Sequence, residues 1–103
     1  MVDDIPVYAP DLMESEVNYP QNFFAELFKL ESENFWFKSR NQLILWCLHK
    51  YFPNAKSLIE IGCGTGYVLS GIRQSFPQCN LSGTDLSIQG LKFAKLRVPS
   101  AQV

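Results

Sequence analysis

The spacing of apolar residues changes several times along this chain, and each change marks an element. From Pro20, the positions Phe23, Phe24, Leu27, Phe28 and Leu30 make one broad face at helical spacing. Proline suits a first turn, so the pattern predicts a helix from Pro20 through residue 30. A second helix is predicted from about Asn34 to Phe52, closed by Pro53-Asn54. Its stretch Leu43–Leu48 is apolar all round, which predicts burial between other elements. Ser57-Leu-Ile-Glu-Ile61 reads as a short strand. A helix over about 65–76 follows, with Val68, Leu69, Ile72 and Phe76 on one face and Pro77 as its stop. Asn80–Thr84 is a weaker strand pattern. Ser87 predicts an N-cap for a helix through Arg97, with Ile88, Leu91 and Ala94 inward and Lys95 and Arg97 in the favourable last turn. Pro99 ends it, and Ala101-Gln-Val103 reads as the opening of a third strand.

The predicted order is helix, helix, β, α, β, α and the first residues of a β. Alternation of this kind argues for a parallel sheet with right-handed crossovers. Residues 1–20 hold Pro6, Pro10 and Pro20 among scattered acids, which predicts an irregular arm with a short turn at Asp11–Ser15. The expected organisation is therefore an arm over 1–20 and one α/β unit over 21–103.

The chemistry concentrates between the two strands. Gly62, Gly64 and Gly66 occupy alternate positions after the first strand. Glycines let the backbone turn sharply and let a ligand lie against it. The helix that follows aims free N–H groups and partial positive charge at that ligand, so an anionic or carboxylate-bearing molecule suits the place. Asp85 stands 19 residues beyond Gly66, at the end of the second strand. An acidic residue there can accept hydrogen bonds from both hydroxyls of a ribose. The dinucleotide pattern G-x-G-x-x-G would need glycine at 67, where Tyr67 stands. The pattern present is Glu60-x-Gly62-x-Gly64-x-Gly66.

That spacing resembles motif I of the S-adenosylmethionine-dependent methyltransferases of Rossmann-like fold. Gly83-Thr-Asp85-Leu86-Ser87 resembles their ribose-binding segment, and Glu31–Arg40 resembles the acidic, aromatic stretch that precedes motif I in many small members. This chain carries Asn34 where those members often have histidine. The resemblance runs over roughly residues 28–103. It implies a partial Rossmann-like parallel sheet, the first two or three strands of a fold with about seven, preceded by two helices. By the same resemblance the sheet is incomplete at the C-terminus and the 103-residue chain alone is inactive.

The resemblance also distributes roles. S-adenosylmethionine is the implied cofactor, with Gly62, Cys63, Gly64, Thr65 and Gly66 forming the loop under its methionine part. Glu60 is implied to contact the ligand's amino group, and Asp85 with Leu86 to hold the ribose. Cys63 is read as a small packing residue, because no base lies near it in sequence. Arg40 can pair with the methionine carboxylate if the second helix packs over the pocket, its planar fork suiting that group, and is equally readable as a surface residue. Trp36, within Phe35-Trp36-Phe37, is read as core, and His49, the single histidine, as structural. No catalytic residue and no metal site are assigned.

Composition narrows the partners. The hydrophobic share of 47% and charged share of 18% are those of a soluble globular protein. A net charge of −1 gives no attraction to nucleic acid or an anionic membrane. No apolar run reaches the roughly 20 residues of a membrane span. The acidic start Met1-Val-Asp-Asp lacks the basic region of a signal peptide. Cys47, Cys63 and Cys79 lie far apart and read as free thiols in a reducing cytoplasm. Residues 34–103 contain only two acids, Glu60 and Asp85, the two that the motif uses.

Three functional readings follow, of which a nicotinamide-dependent dehydrogenase is disfavoured by Tyr67 in place of the third glycine. One is a methyltransferase acting on a small-molecule acceptor. The alternative is a non-catalytic nucleoside-binding or self-associating module from a truncated methyltransferase; on either reading the isolated chain is expected to self-associate, through the open edge of its first strand or the apolar face at Leu43–Leu48.

Overall fold

The computed structural model describes residues 1–13, 20 and 22–103. Its elements are α1 (Pro10–Met13), α2 (Phe23–Glu31), α3 (Phe35–Tyr51), β1 (Ser57–Ile61), α4 (Tyr67–Ser75), β2 (Asn80–Thr84) and α5 (Ile88–Arg97). Both strands fall at their expected bounds. They pair in parallel, with Ser57 opposite Asn80 and Ile61 opposite Thr84. Gln102 extends the sheet beyond β2: its N–H donates to the Leu81 carbonyl at 2.9 Å, and its carbonyl accepts from Gly83 N–H at 2.7 Å. That is the expected opening of a third strand, reduced to one bridge.

Local chemistry sets the helix ends. Asn34 caps α3, its side-chain oxygen accepting from Trp36 N–H at 2.9 Å. Ser87 caps α5 by accepting from Gly90 N–H at 3.3 Å. Helix α2 starts at Phe23, later than the proline signal suggested. Pro20 lies before the helix, where its carbonyl accepts from Phe23 N–H at 2.9 Å. The expected turn at 11–15 is a short helix at Pro10–Met13 as far as the described residues reach; 14 and 15 lie outside them.

Paired residues of a parallel ladder share a face. Leu58 with Leu81, and Glu60 with Gly83, therefore point the same way, toward α4. Leu81 is buried there with Leu69 and Ile72 of α4, Leu91 and Ala94 of α5, and Cys79, Val98 and Ala101. Ile5 of the arm joins this core at 1% exposure. Lys92 of α5 holds the arm's Asp3 at 2.6 Å. The opposite face carries Ile59 and Ile61, and Ile61 is 85% exposed.

Helix α3 departs from expectation. Leu45 and Leu48 pack on the core, but Leu43 is 61% exposed and Trp46 is exposed too. A helix that meets a neighbour along one stripe buries only that stripe, however apolar its circumference. Here the stripe faces α4, where Asn41 is buried against Gly71. The aromatic triplet divides for the same reason. Phe35 and Trp36 are exposed rather than core, and only Phe37 turns inward to meet Tyr67 edge-on at 6.4 Å. His49 stacks on Phe76 at 4.5 Å, a packing role.

Candidate functional site

Between β1 and α4 the chain makes three left-handed turns, at Gly62 (φ 78°), Gly64 (φ 52°) and Gly66 (φ 78°). Side chains avoid this conformation at a cost of about 1–2 kcal/mol per residue. The loop is fastened to the end of β2. Gly62 and Cys63 N–H donate to the Thr84 carbonyl at 2.7 and 2.9 Å. Gly64 N–H donates to one carboxylate oxygen of Asp85 at 2.8 Å, and Ser87 N–H donates to the other at 2.8 Å.

The three glycines do different work. A Cβ on Gly62 or Gly64 would meet nothing within 4 Å, so their backbone faces open space. A Cβ on Gly66 would come within 2.9 Å of Ala94 Cα, so Gly66 lets α5 close against the start of α4.

On one side of the loop lies a hollow of about 220 Å³. Leu27 and Glu31 of α2, Phe37 and Arg40 of α3, Glu60 of β1, Tyr67 and Val68 of α4 and the loop itself line it. Arg40 lies over the Phe37 ring at 5.4 Å. The carboxyl oxygen Oε2 of Glu60 is buried and finds no hydrogen-bond partner among the described residues. Burial pushes the Glu60 carboxyl up to about 7; Arg40 and a backbone hydrogen bond from Leu69 pull it down, while Asp85 and Glu31 push it further up. Burial, with Glu60 and Asp85 nearby, pushes the Cys63 thiol up to about 12. That thiol stays protonated and packs against Gly83, which suits filler and not a nucleophile.

Asp85 and Leu86 border a second hollow of about 760 Å³, formed by the uncovered sheet face and the arm. The loop thus stands between Glu60 and Arg40 on one side and Asp85 and Leu86 on the other. Thr65 borders the smaller hollow from a buried position. It is 2% exposed, and its hydroxyl donates to a carboxyl oxygen of Glu31.

Glu31 and Arg97 were not apparent from the motif. Arg97 donates to Glu31 at 3.2 Å, to the Thr65 hydroxyl at 3.1 Å, to the Thr65 carbonyl at 3.3 Å and to the Phe28 carbonyl at 2.8 Å. Its guanidinium lies over the Phe28 ring at 4.1 Å. A signal existed: Glu31 follows Leu27 and Phe28 at helical spacing, and Arg97 follows Ala94, so each puts a charge near an inward face.

Chemically, the smaller hollow offers an unpartnered carboxylate oxygen, a guanidinium opposite it, and side-chain-free backbone between. That set complements a zwitterionic amino-acid end. Among the described residues no helix is long and apolar enough to cross a membrane.

No family model matches the chain. Over 63 residues it is 33% identical to a malonyl-[acyl-carrier protein] O-methyltransferase of Priestia megaterium, covering 61% of this chain and 23% of that protein. Over 45 residues it is 40% identical to the enzyme of the same name from Halalkalibacterium halodurans, covering 44% of this chain and 17% of that protein. The chain thus spans less than a quarter of the length of these curated relatives. The crystal structure of Streptomyces venezuelae DesVI superposes with a TM-score of 0.59 at 26% identity, over 84% of this chain and 35% of that one. Sequence and fold agree: this chain is similar to part of the class I, Rossmann-like methyltransferases.

Proposed function

We propose that the loop and the hollow beside it bind S-adenosylmethionine, and that the chain is the donor-binding portion of an enzyme that methylates a small molecule. One observation carries this reading above the others. Glu60 keeps a buried, unpartnered oxygen at the wall of a hollow that also holds Arg40 and the bare backbone of Gly62 and Gly64. A buried polar atom without a partner is costly unless something arrives to satisfy it. The ligand's ammonium group supplies the missing donor, and its carboxylate suits the Arg40 fork.

S-adenosylmethionine, when bound, supplies a sulfonium-activated methyl group. The residues here bind and orient. Glu60 and Arg40 fix the amino-acid end, Gly62 and Gly64 admit it without a Cβ, and Asp85 and Leu86 stand where the ribose leaves the loop. Methyl transfer of this kind gains its rate largely from placing the acceptor in line with the methyl carbon. The chain spans less than a quarter of the length of its curated relatives, and we expect the 103-residue chain alone to bind donor without turnover. A small-molecule acceptor is our proposal. A malonyl group on an acyl carrier protein, which the relatives' names specify, is the first acceptor to try on a full-length enzyme.

Free thiols at Cys47, Cys63 and Cys79 suit a reducing cytoplasm. Exposed Ile59 and Ile61 beside the open edge of β1 support self-association of the chain. Neither nucleic acid nor membrane is proposed as a partner. Titration calorimetry with S-adenosylhomocysteine and with NAD tests the reading: saturable heat with the first and none with the second is expected. Binding of NAD alone would overturn it and favour a dehydrogenase.

A further inference from the structure

The glycine loop is also held by a buried cluster of side chains from α2 and α5. Thr65 sits between two left-handed glycines, at 2% exposure. Its hydroxyl donates to Glu31, and both its hydroxyl and its carbonyl accept from Arg97 at 3.1 and 3.3 Å. Glu31 comes from the end of α2 and Arg97 from the end of α5. Their side chains are only 5% and 11% exposed. Arg97 is further clamped between the Phe28 ring at 4.1 Å and the Tyr67 ring at 5.3 Å, and it donates to the Phe28 carbonyl at 2.8 Å.

A buried ion pair is a weak device for stability, because desolvation offsets most of the attraction. It is a good device for fixing one geometry, since each hydrogen bond is directional. The geometry at stake is a loop with three glycines, whose unfolded and misfolded alternatives are numerous. Asp85 holds Gly64 from the β2 side. The Glu31–Arg97 pair holds Thr65 from the other.

We propose that Glu31, Thr65 and Arg97 form a positioning network that pre-forms the glycine loop, so that lead-in helix α2, whose Leu27 and Glu31 also border the smaller hollow, is part of the donor site through the loop that it holds. The proposal rests on the reading of the loop as a donor site, and Thr65 acts through the loop backbone and not through its own hydroxyl on the ligand.

The test is Thr65→Val, nearly the same volume without the hydroxyl, beside Thr65→Ser, which keeps it. Amide hydrogen exchange on the unliganded full chain reads the loop directly. Exchange at Gly64 and Gly66 should quicken by about tenfold in Thr65→Val and return toward the parent rate in Thr65→Ser, the scale of one lost hydrogen bond. Amides in the last two turns of α3, beyond the hollow that Phe37 and Arg40 line, should be unchanged. Calorimetry should show S-adenosylhomocysteine binding weakened about tenfold in Thr65→Val and restored in Thr65→Ser. If Thr65→Val does not fold, Glu31→Gln, which still accepts from the hydroxyl, and Arg97→Lys carry the same two measurements, each expected to fall between parent and loss. Loop exchange and affinity equal to the parent in folded variants overturn the proposal. A parent chain that binds no S-adenosylhomocysteine, with loop exchange still responding, overturns the donor-site reading and supports the network.

Discussion

Replacing Gly66 by alanine separates the glycine that the fold needs from those that the ligand needs. At φ 78° a side chain meets the left-handed penalty of about 1–2 kcal/mol. The added Cβ would also stand 2.9 Å from Ala94 Cα and 3.0 Å from Ala94 Cβ, inside any real contact distance. Ala94 is fully buried and its Cα is backbone, so relief requires α5 to shift against α4. Overpacking of this kind costs about 1–3 kcal/mol. The two together predict a loss of about 2–5 kcal/mol for Gly66→Ala. Gly64→Ala meets only the left-handed penalty, because nothing lies within 4 Å of its Cβ, and should cost about 1–2 kcal/mol. Urea unfolding followed by far-UV circular dichroism, at one fixed protein concentration because association shifts the midpoint, measures both. Calorimetry on the same samples should rank them in reverse where both fold, with S-adenosylhomocysteine affinity suffering more in Gly64→Ala. Equal stability of the two variants would refute the assignment of Gly66 to helix packing.

Other outcomes follow from the same geometry. Glu60 titrates near 7 in the fold against a usual 4.5, so the folded state binds more protons between those values; stability of the unliganded chain should fall as pH rises through that window, and a Glu60→Gln variant with an unaltered slope would contradict this. Ligand affinity should move oppositely, rising with pH as Glu60 ionises to meet the ammonium group, and calorimetry between pH 6 and 8 checks it. Asp85→Ala should lose the acceptor of Gly64 and Ser87 N–H, at about 1.5–3 kcal/mol per charge-assisted bond, and weaken S-adenosylhomocysteine binding; unchanged affinity would remove Asp85 from the site. Light scattering should show mass increasing with concentration, and a stable monomer at high micromolar concentration would rule out association through β1.

Strand limits, both capped helices and the glycine loop were legible in the sequence because each depends on neighbours within a few residues. Hydrophobic alternation sets Ser57–Ile61, a short polar side chain before a helix sets Asn34 and Ser87, and only glycine accepts the left-handed turns at 62, 64 and 66. The spaced Glu60 and Asp85 marked the ends of adjacent strands for the same local reason. Tertiary structure decided what these residues touch. Only the approach of α5 shows that Gly66 is a packing glycine while Gly62 and Gly64 face open space. Only the packing of α3 on α4 exposes Leu43, Trp36 and Trp46 and turns Phe37 and Arg40 to the hollow, because one helical contact covers one stripe whatever the composition of the rest. The Glu31–Thr65–Arg97 cluster joins residues 32 to 66 positions apart. No periodicity spans such distances, so the charges that brace the loop look like ordinary surface charges until the chain folds and buries them together.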